Sequence, residues 1–498
     1  MSLDPKCNKR NVTDIELLNM ISALNKDLLR VFEKVEHSVQ SENTILRLYV
    51  SGAGGTGKSF SIDVKRCWVQ NELKKKIIVT APTGIAAFNI DGITIYKAFQ
   101  LPVEHGYACQ YYQLSDNALK VLRSEFHDVI LIIIDEISMV LSVVLLYIHL
   151  RLMEIFNTVD QEDGWFGKIH ILVFGDLLQL PPVQEDPAFV DLSSKKIEKF
   201  IGSLGNSNLW KNLFSYDELI LNMRQKTDSE YNDLLARLRV GATTSYDVKL
   251  LEQRKKVITH VNSSIVERIK ELSDYINKLP EDTVCLLPTC CQCDILNSTM
   301  TAGLAKKIKV KLGAKIMIRR NIDVTLGLVN GTIGKIMSIS ESTQNDQIDS
   351  ITIQLANKKE YTIERISAKF QVMNNAYVIR KQFPLCLSYG ITIHKSQGLS
   401  LTNAVIDVGN RVFTSGQTYV ALSRITTLKG LHLINFDPFQ VKASSLAISK
   451  YNRLRVKYKP ELLEIALNER RLMKVLDLQW AVNESDIPDN SHNLSEQI

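Results

Sequence analysis

The chain has 498 residues, 45% hydrophobic and 23% charged, a composition that suits roughly two to four globular domains and excludes collagen-like, coiled-coil and wholly disordered chains. Lys and Arg number 60 against 54 for Asp and Glu, and the resulting charge of +6 permits nucleic-acid binding without requiring it. The 8 cysteines are too sparse for a disulfide scaffold and indicate a reducing, intracellular compartment, while no apolar stretch reaches the ~18 residues of a membrane span.

Short apolar runs alternate with helical stretches in the first half of the chain, a pattern typical of a parallel α/β sheet. These runs comprise residues 45–50, 77–80, 129–134 and 169–174. After residue 289, short alternating segments and a hairpin-type turn at Asn330–Gly331 predict a small β module. Strand and helix signals return from Leu385, so this module is predicted as an insertion into a second α/β domain. In chain order we predict a helical lead-in (1–45), a first α/β domain (46–225) with a small insertion near 100–120, a second α/β domain (226–310 and 384–450) around the β module (311–383), and a C-terminal helix with a disordered tail (451–498).

The strongest motif is the segment GAGGTGKS at residues 52–59, which lies between a predicted strand and a predicted helix. In such a loop, glycines let successive backbone N–H groups curl around a phosphate, and the helix N-terminus adds a favourable dipole. The Lys58 ammonium supplies charge to the β- and γ-phosphates, and the Ser59 hydroxyl can bind Mg²⁺. The alternative, a chance glycine turn, is disfavoured by the flanking strand and helix. The candidate nucleotide-binding residues are Gly52, Gly54, Gly55, Thr56, Gly57, Lys58 and Ser59.

Two further strands end in polar residues that suit ATP hydrolysis. Asp135 follows the apolar run 129–134, where it can hold the Mg²⁺ shell, and Glu136 can orient and deprotonate the attacking water. Gln179 follows the next strand and is placed to sense the γ-phosphate. Glu136 indicates hydrolysis rather than binding alone. The sequence contains no N-K-x-D motif, so a GTPase switch is disfavoured.

Taken in order, these motifs resemble the Pif family of superfamily-one DNA helicases, which are relatives of RecD and of Helitron-encoded helicases. The other segments that carry the resemblance are residues 80–84 (TAPTG), 135–139 (DEISM), 175–179, 222–225 (NMRQ), 387–398 and 419–424 (YVALSR). The resemblance runs from about residue 46 to about residue 438. It implies two RecA-like P-loop domains with a small Src-homology-type β-barrel inserted in the second, and ATP and Mg²⁺ as cofactors.

The resemblance also implies roles for residues outside the phosphate loop. Arg224 and Arg424 would be arginine fingers that reach the γ-phosphate, and the guanidinium fork suits that task. Gln397 and Gly398 would lie near the nucleotide. Phe99 could stack on a base, with a buried core position as the open alternative. The segments implied in DNA contact contain Pro82, Thr83, Thr94, Phe99, Thr392, His394 and Ser396.

Some features depart from the family pattern or invite another interpretation. The adenine-reading Gln that family members carry after a Leu-Asn pair is absent, since Leu24–Asn25 is followed by Lys26, Asp27 and Leu28. The connection after Met300 is shorter than in the family, which predicts an incomplete second domain. The cluster of Cys290, Cys291 and Cys293 invites a metal interpretation, but without a second Cys/His pair at finger spacing a partly buried strand end is favoured.

The resemblance implies an intracellular, nuclear ATP-dependent DNA helicase that moves 5′-to-3′ on single-stranded and tailed duplex DNA, without a membrane association. Replication, repair, recombination and telomere maintenance are the processes it implies. The oligomeric state stays open, and a monomer is consistent with the motifs. One alternative is a nucleic-acid-stimulated ATPase or translocase that does not unwind. Another is a degenerate, transposon-derived DNA-binding protein.

Overall fold

The structure, a computed structural model, describes residues 12–41, 44–104, 107–108, 110–183, 185–193, 209–225, 227–256, 265–280, 283–300, 311–323, 326–341, 348–373 and 376–466. The first half forms one α/β unit. Its strands are Arg47–Gly52 (β1), Lys76–Ala81 (β2), Ile93–Thr94 (β3), Val103–Glu104 (β4), Tyr107–Ala108 (β5), Val129–Ile134 (β6), His170–Gly175 (β7) and Ser215–Leu219 (β8). β4 and β5 form a separate hairpin, and the other six form a parallel sheet in the order β3-β2-β6-β7-β1-β8.

The central strand β6 shows why the sheet is buried on both faces. Its sequence, VILIII, is apolar throughout, as expected for a parallel strand covered by helices on each side. Leu131 and Ile133 pack in one hydrophobic core, whereas Ile132 and Ile134 pack in the core on the opposite face. The helices of this unit are Asp14–Ser22 (α1), Lys26–Gln40 (α2), Lys58–Asn71 (α3), Gly84–Asn89 (α4), Ile95–Ala98 (α5), Asp116–Glu125 (α6), Ser142–Phe156 (α7) and Leu209–Leu213 (α8).

The second half contains another parallel sheet and a small β domain. Its helices before that domain are Ser229–Arg239 (α9), Ser245–Gln253 (α10), Ile265–Ile276 (α11) and Cys290–Met300 (α12). Its strands are Val284–Leu287 (β9), Lys315–Ile318 (β10), Ile333–Glu341 (β11), Ile348–Leu355 (β12), Glu360–Glu364 (β13), Ile366–Met373 (β14), Ala376–Gln382 (β15), Leu385–Leu387 (β16), Gly390–Thr392 (β17), Ala404–Val408 (β18) and Leu431–Phe436 (β19).

Two sheets and a hairpin are built from these strands. The parallel sheet has the order β17-β9-β18-β19, and the antiparallel sheet has the order β13-β12-β11-β10-β16, with β14 and β15 as a separate hairpin. Over the described residues the antiparallel sheet is an open ladder rather than a closed ring. It extends to Leu387, past the predicted limit at residue 383, because Leu385 pairs with Ile318. Residues 301–310, where the short connection was predicted to have its effect, lie outside the described residues.

The last described helices connect the two units. Gln417–Ser423 (α13) packs in the core of the second unit, through Val420 and Leu422 for example. Ser445–Tyr458 (α14) follows the second sheet but returns to the first unit, where Ile448 and Tyr451 enter its core. The predicted disordered tail is described only to residue 466. In the part of the chain that the structure covers, no helix combines the length and apolar character that crossing a membrane requires.

Candidate functional site

The predicted nucleotide-binding residues meet at one edge of the first sheet. β7 lies between β6 and β1 in the sheet, so the segments that follow these three strands are neighbours at their carboxyl ends. The phosphate loop follows β1, Asp135 follows β6, and Asp176 follows β7. Ligands of parallel α/β sheets bind at this edge because the loops after adjacent strands converge there. The structure therefore brings together the motifs that lie far apart in the sequence.

The phosphate loop wraps around its own lysine. The Lys58 ammonium donates to the carbonyl oxygens of Gly52 at 2.8 Å and Ala53 at 3.0 Å. Burial lowers the pKa of Lys58, an effect that the charges of Glu136 and Asp135 oppose. Gly55 has a φ of +91°, and a Cβ there would lie 2.6 Å from Arg224 Cβ, so the close approach requires glycine.

Asp135 and Glu136 lie opposite this loop. Asp135 is 4% exposed, and burial together with the charge of Glu136 raises its pKa to about 7. Among the described residues, no group hydrogen-bonds to its Oδ1. This unpartnered buried carboxylate oxygen and the exposed residue Ser59, which lines the same cavity, are a donor set that suits Mg²⁺. Glu136 adopts a left-handed backbone with a φ of +53°, a strained conformation that is common at functional sites.

The second unit closes the other side of a cavity of about 310 Å³. The Gln397 amide donates to Glu136 Oε2 at 3.1 Å, and the Asn89 amide donates to the Gly398 carbonyl at 3.0 Å. Gln179 is 3% exposed, and its Oε1 has no hydrogen-bond partner among the described residues. The residues that line the cavity are Gly54, Gly55, Gly57, Lys58, Ser59, Phe60, Ala86, Asn89, Ile90, Asp135, Glu136, Gln179, Met223, Arg224, Gly398 and Arg424.

Both predicted arginine fingers line this cavity and are fixed by backbone carbonyls. Arg224 donates to the Ser423 carbonyl at 3.2 Å, and Arg424 donates from Nε to the Val420 carbonyl at 3.0 Å. Burial, and then the neighbouring charge of Arg224, lowers the pKa of Arg424 to about 10. Two cations are thus held side by side against their mutual repulsion, an arrangement that suits an anionic ligand.

Sequence reasoning missed two groups that join the units, one at the phosphate loop and one at the end of α4. The Tyr419 hydroxyl of α13 accepts a hydrogen bond from the Gly54 amide at 3.1 Å. Asn89, at the end of α4, makes the contact with Gly398 described above. Tyr419 lies inside the YVALSR segment, so the motif identified the region but not the role. Nothing local in the sequence marks Asn89.

The residues predicted to face DNA divide into accessible and buried groups. Pro82, Thr83, Thr94 and His394 are half-buried. Thr83 and Thr94 also cap α4 and α5, since their hydroxyls accept from backbone amides. Thr392 is 8% exposed.

Two residues predicted to contact DNA, Phe99 and Ser396, have buried side chains, so the predicted side-chain contacts are wrong. Phe99 is 0% exposed and packs 6.0 Å from the Phe126 ring in the core of the first unit, so it cannot stack on a base. The alternative of a buried Phe99 is correct. Ser396 is also 0% exposed, and its hydroxyl donates to the Ile393 carbonyl at 2.7 Å. A hydroxyl has one proton, so a hydrogen bond to the carbonyl three residues earlier leaves none to donate to a phosphate.

An exposed aromatic residue that the sequence did not single out lies beside His394. The Phe413 ring stacks on the His394 ring with centroids 5.6 Å apart and planes inclined by 13°. Phe413 remains 65% exposed, which is unusual for so large an apolar side chain. Phe413 therefore presents an exposed aromatic ring beside His394, one residue of the predicted DNA face.

The cysteine cluster does not form a metal centre in the described part of the chain. The three cysteines lie in the first turn of α12 and not at the end of a strand, so the favoured interpretation is wrong. Cys290 and Cys291 are exposed, whereas Cys293 is buried. No group of three or more potential metal ligands occurs among the described residues. Burial raises the pKa of Cys293 to about 12, which keeps the thiol protonated.

Comparison with protein families and relatives identifies similar proteins. A model of PIF1-like helicases matches residues 23–248, and a model of the 2B domain of the DNA helicase Pif1 matches residues 294–339. The ATP-dependent DNA helicase PIF1 of Danio rerio is 30% identical, over 82% of this chain and 61% of its own. That of Xenopus laevis is 29% identical, over 83% of this chain and 63% of its own. The chain thus spans about three fifths of the length of the curated relatives it matches.

Solved structures with the same architecture include two from Bacteroides. Pif1 bound to single-stranded DNA aligns with a TM-score of 0.63 and 25% identity, over 88% of this chain and 97% of its own. Pif1 in complex with ADP-AlF3 and single-stranded DNA aligns with the same TM-score and identity, over 88% and 98%. The Pif1 helicase of Candida albicans aligns with a TM-score of 0.64 at 23% identity. These matches confirm the predicted fold class of two RecA-like domains with a small β domain.

Proposed function

We propose that this chain is a PIF1-like helicase, an ATP-dependent enzyme that couples hydrolysis to translocation on single-stranded DNA and to duplex unwinding, and its likeness to PIF1-like helicases supports this. The observation that carries the proposal is the cavity between the two units, where Lys58 and Glu136 of the first face Arg424 of the second. The names of the relatives and the Bacteroides complex with ADP-AlF3 and single-stranded DNA support it.

The cavity residues suit each part of phosphoryl transfer to water. The loop amides and Lys58 bind the phosphates, and Arg224 and Arg424 stabilise the charge that develops on the γ-phosphate. Glu136 orients the attacking water and accepts its proton, while the Gln397 amide holds the carboxylate in place. Gln179 contacts the γ-phosphate. Ser59 and Asp135 would hold Mg²⁺, which when bound neutralises phosphate oxygens.

Translocation follows from the position of the cavity between two separate sheets. Nucleotide phosphates that attract Arg424 toward Lys58 close the cleft, and hydrolysis releases it. Thr83 and Thr94 on the first unit and His394 on the second contact the DNA strand. Closure then changes the distance between the two sets of contacts, which moves the strand. We propose 5′-to-3′ polarity, single-stranded and tailed duplex DNA as partners, and a nuclear location with roles in DNA replication, repair, recombination or telomere maintenance.

The domain boundaries follow the sheets and cores. We propose a first RecA-like domain over 46–225, a second over 226–310 and 388–450, and an inserted β domain over 311–387. The last boundary is moved from residue 383 because β16 pairs with β10.

Two measurements test the proposed function. ATP turnover should rise when single-stranded DNA is added, and a duplex with a 5′ tail should be unwound faster than one with a 3′ tail. Stimulated turnover without unwinding of either duplex would identify a translocase. DNA binding without turnover would identify the degenerate binding protein, which the complete set of cavity residues disfavours.

A further inference from the structure

The turn formed by residues 176–179, called the sensor turn below, carries Gln179 into the cavity at the end of β7. The first residue of this turn, Asp176, is 0% exposed. The Asp176 backbone carbonyl accepts a hydrogen bond from the Gln179 backbone N–H at 3.0 Å. Asp176 Oδ1 accepts another from the Leu178 amide at 3.2 Å. The conformation from which the Gln179 side chain projects is therefore set by Asp176.

The Asp176 carboxylate is bound by Arg239, the last residue of α9. Arg239 donates from Nε to Oδ2 at 2.9 Å and from Nη2 to Oδ1 at 2.8 Å. Such a two-point contact fixes the relative orientation of the two groups as well as their distance. The rest of α9 packs in the core of the second unit, and its Tyr231 hydroxyl donates to the Leu422 carbonyl of α13 at 2.7 Å. Arg239 thus extends from the second unit to the sensor turn of the first.

The same carboxylate is braced from the first unit by Tyr451 of α14. The Tyr451 hydroxyl donates to Asp176 Oδ1 at 3.1 Å and accepts from the Leu177 amide at 2.9 Å. Its ring centroid lies 5.4 Å from the Arg239 guanidinium carbon. Tyr451, Arg239 and Asp176 form one buried cluster, and none of the three lines the cavity.

A further contact links the sensor turn to the helix that precedes Arg424. Gly416, directly before α13, has a φ of +80°, and a Cβ there would lie 2.6 Å from the Leu178 carbonyl oxygen and 3.1 Å from that of Gln179. The backbone of the turn therefore rests on the start of α13. α9 and α13, which are joined by the Tyr231 hydrogen bond, contact the sensor turn from the same unit.

We propose that Arg239 is a positioning residue that couples the placement of the second unit to the position of Gln179, with Tyr451 bracing the shared carboxylate. This rests on the proposed function, since it concerns turnover that DNA stimulates. When a bound DNA strand shifts the second unit, α9 moves with it. The two hydrogen bonds from Arg239 then move the Asp176 carboxylate. Gln179, whose Oε1 has no partner among the described residues, then meets the γ-phosphate only when the second unit is correctly placed.

The test compares Arg239→Lys with Arg237→Lys. Lysine keeps the charge, so Asp176 is not left unpaired, but a point charge cannot form the fork. Arg237 lies on the same helix and binds Asp247 in the same two-point manner, at 2.8 and 2.7 Å, away from the sensor turn. We expect Arg239→Lys to lower the DNA-stimulated kcat about tenfold, with KM for ATP and Kd for oligo-dT within about twofold of wild type, and Arg237→Lys to change none of these by more than about twofold.

A second variant distinguishes loss of coupling from a folding defect caused by Arg239→Lys. Tyr451→Phe keeps the ring in the core and removes only the hydroxyl, and we expect it to lower the stimulated kcat about threefold. Both residues act through Asp176, so the fold decrease in stimulated kcat of the double variant should be smaller than the product of the two single decreases. Equal kcat in the two lysine variants, a normal kcat in Tyr451→Phe, or multiplicative effects would each overturn the inference. A wild-type protein whose turnover DNA does not stimulate would instead overturn the proposed function.

Discussion

Lys65 is a buried cation on α3, the helix that begins at the phosphate loop. It is 0% exposed and donates to the Ser61 hydroxyl at 2.6 Å, and its ammonium lies 5.9 Å from the ring centroids of both Phe32 and Phe174. Among the residues that the structure describes, no carboxylate forms an ion pair with it. Burial lowers the pKa of Lys65 to about 7, so above pH 7 the side chain is mostly a neutral amine in the folded protein.

This pKa predicts how stability depends on pH. Between about pH 7 and pH 10 the unfolded chain keeps the Lys65 proton that the folded protein has lost, so the free energy of unfolding rises with pH by up to about 1.4 kcal/mol per unit. Lys65→Met removes this dependence and is more stable than wild type near pH 7. Urea denaturation between pH 6.5 and 9.5 measures the difference, with Lys97→Met as an exposed control. Parallel pH profiles for wild type and Lys65→Met would contradict the prediction.

Lys58 and Glu136 are expected to have separable roles in the cavity. Lys58→Ala removes a phosphate-binding charge and should weaken ATP binding at least about tenfold, whereas Glu136→Gln keeps the cradle and should bind ATP within about threefold of wild type. Both variants should lower turnover more than about a hundredfold. Equilibrium binding of a fluorescent ATP analogue and steady-state turnover distinguish the two. Turnover near the wild-type rate in either variant would exclude the assigned site.

Phe413 is expected to bind a base of the DNA strand. An exposed aromatic ring that a half-buried histidine holds in place offers a stacking surface, and such contacts are worth about 1–3 kcal/mol per base. Phe413→Ala should therefore weaken oligo-dT binding by about fivefold to a hundredfold. Phe439→Ala is the matched control, because Phe439 is also an exposed phenylalanine, at 51%. Fluorescence anisotropy measures both affinities, and equal values would show that Phe413 does not contact DNA.

The position of α13 is expected to depend on Gly416, the glycine that directly precedes this helix. Gly416→Ala would place a Cβ against the backbone of the sensor turn, so α13 would shift and carry Arg424 away from the cavity. Gly313→Ala is a close control, since Gly313 also has a positive φ, +78°, but the nearest heavy atom to a methyl added there is a flexible lysine carbon at 3.7 Å. Both variants share the strain of about 1 kcal/mol, but only Gly416→Ala should lose turnover, by about tenfold or more. Equal turnover in the two variants would contradict this.

The strands could be predicted where burial dictates the sequence locally. The bounds of β6 were predicted correctly because a strand covered on both faces is apolar throughout. The limit of the β domain was missed, because the pairing of β16 with β10 joins residues about seventy positions apart and leaves no local signal. A C-terminal helix was predicted from residue 451, but α14 begins earlier, at Ser445, and its return to the first core was not predicted. Its position is fixed by long-range contacts such as the Tyr451–Asp176 hydrogen bond.

The site follows the same division between local and long-range information. Lys58 could be predicted because a strand, a tight loop and a helix must follow one another in the sequence to form a phosphate site. Asp135 and Glu136 could be predicted because they directly follow a strand that is apolar throughout. Asn89, Arg239 and Tyr451 could not, because each acts through a contact with a distant segment. Phe99 was ambiguous in the sequence because an aromatic residue suits both a core and a base-stacking surface, and only its 0% exposure decides between them.

Across the whole molecule, both ends of the described chain meet on the first unit. Arg30 of α2 and Lys459 after α14 bind the same buried carboxylate, Asp217, at 2.9 and 3.1 Å, and Arg455 binds Glu218 at 2.7 Å. The second unit is also attached to the first through α9 and α14, whose Arg239 and Tyr451 both bind the Asp176 carboxylate. An opening and closing cleft between units held in this way can act on a bound strand without the units separating.

At the scale of the whole protein, DNA binding is expected to depend on contacts with phosphates. The chain carries a net charge of +6, and a helicase that tracks a strand must bind through phosphates, because base-specific contacts would stop it at particular sequences. The logarithm of the association constant for single-stranded DNA should therefore fall linearly with the logarithm of the salt concentration, with a slope of about −0.7 for each phosphate neutralised. Oligo-dT and mixed-sequence strands of equal length should bind within about threefold of each other. Anisotropy titrations from 50 to 300 mM NaCl, roughly the range over which phosphate contacts weaken most, measure both quantities. An affinity that is insensitive to salt and depends strongly on sequence would instead indicate a site-specific DNA-binding protein.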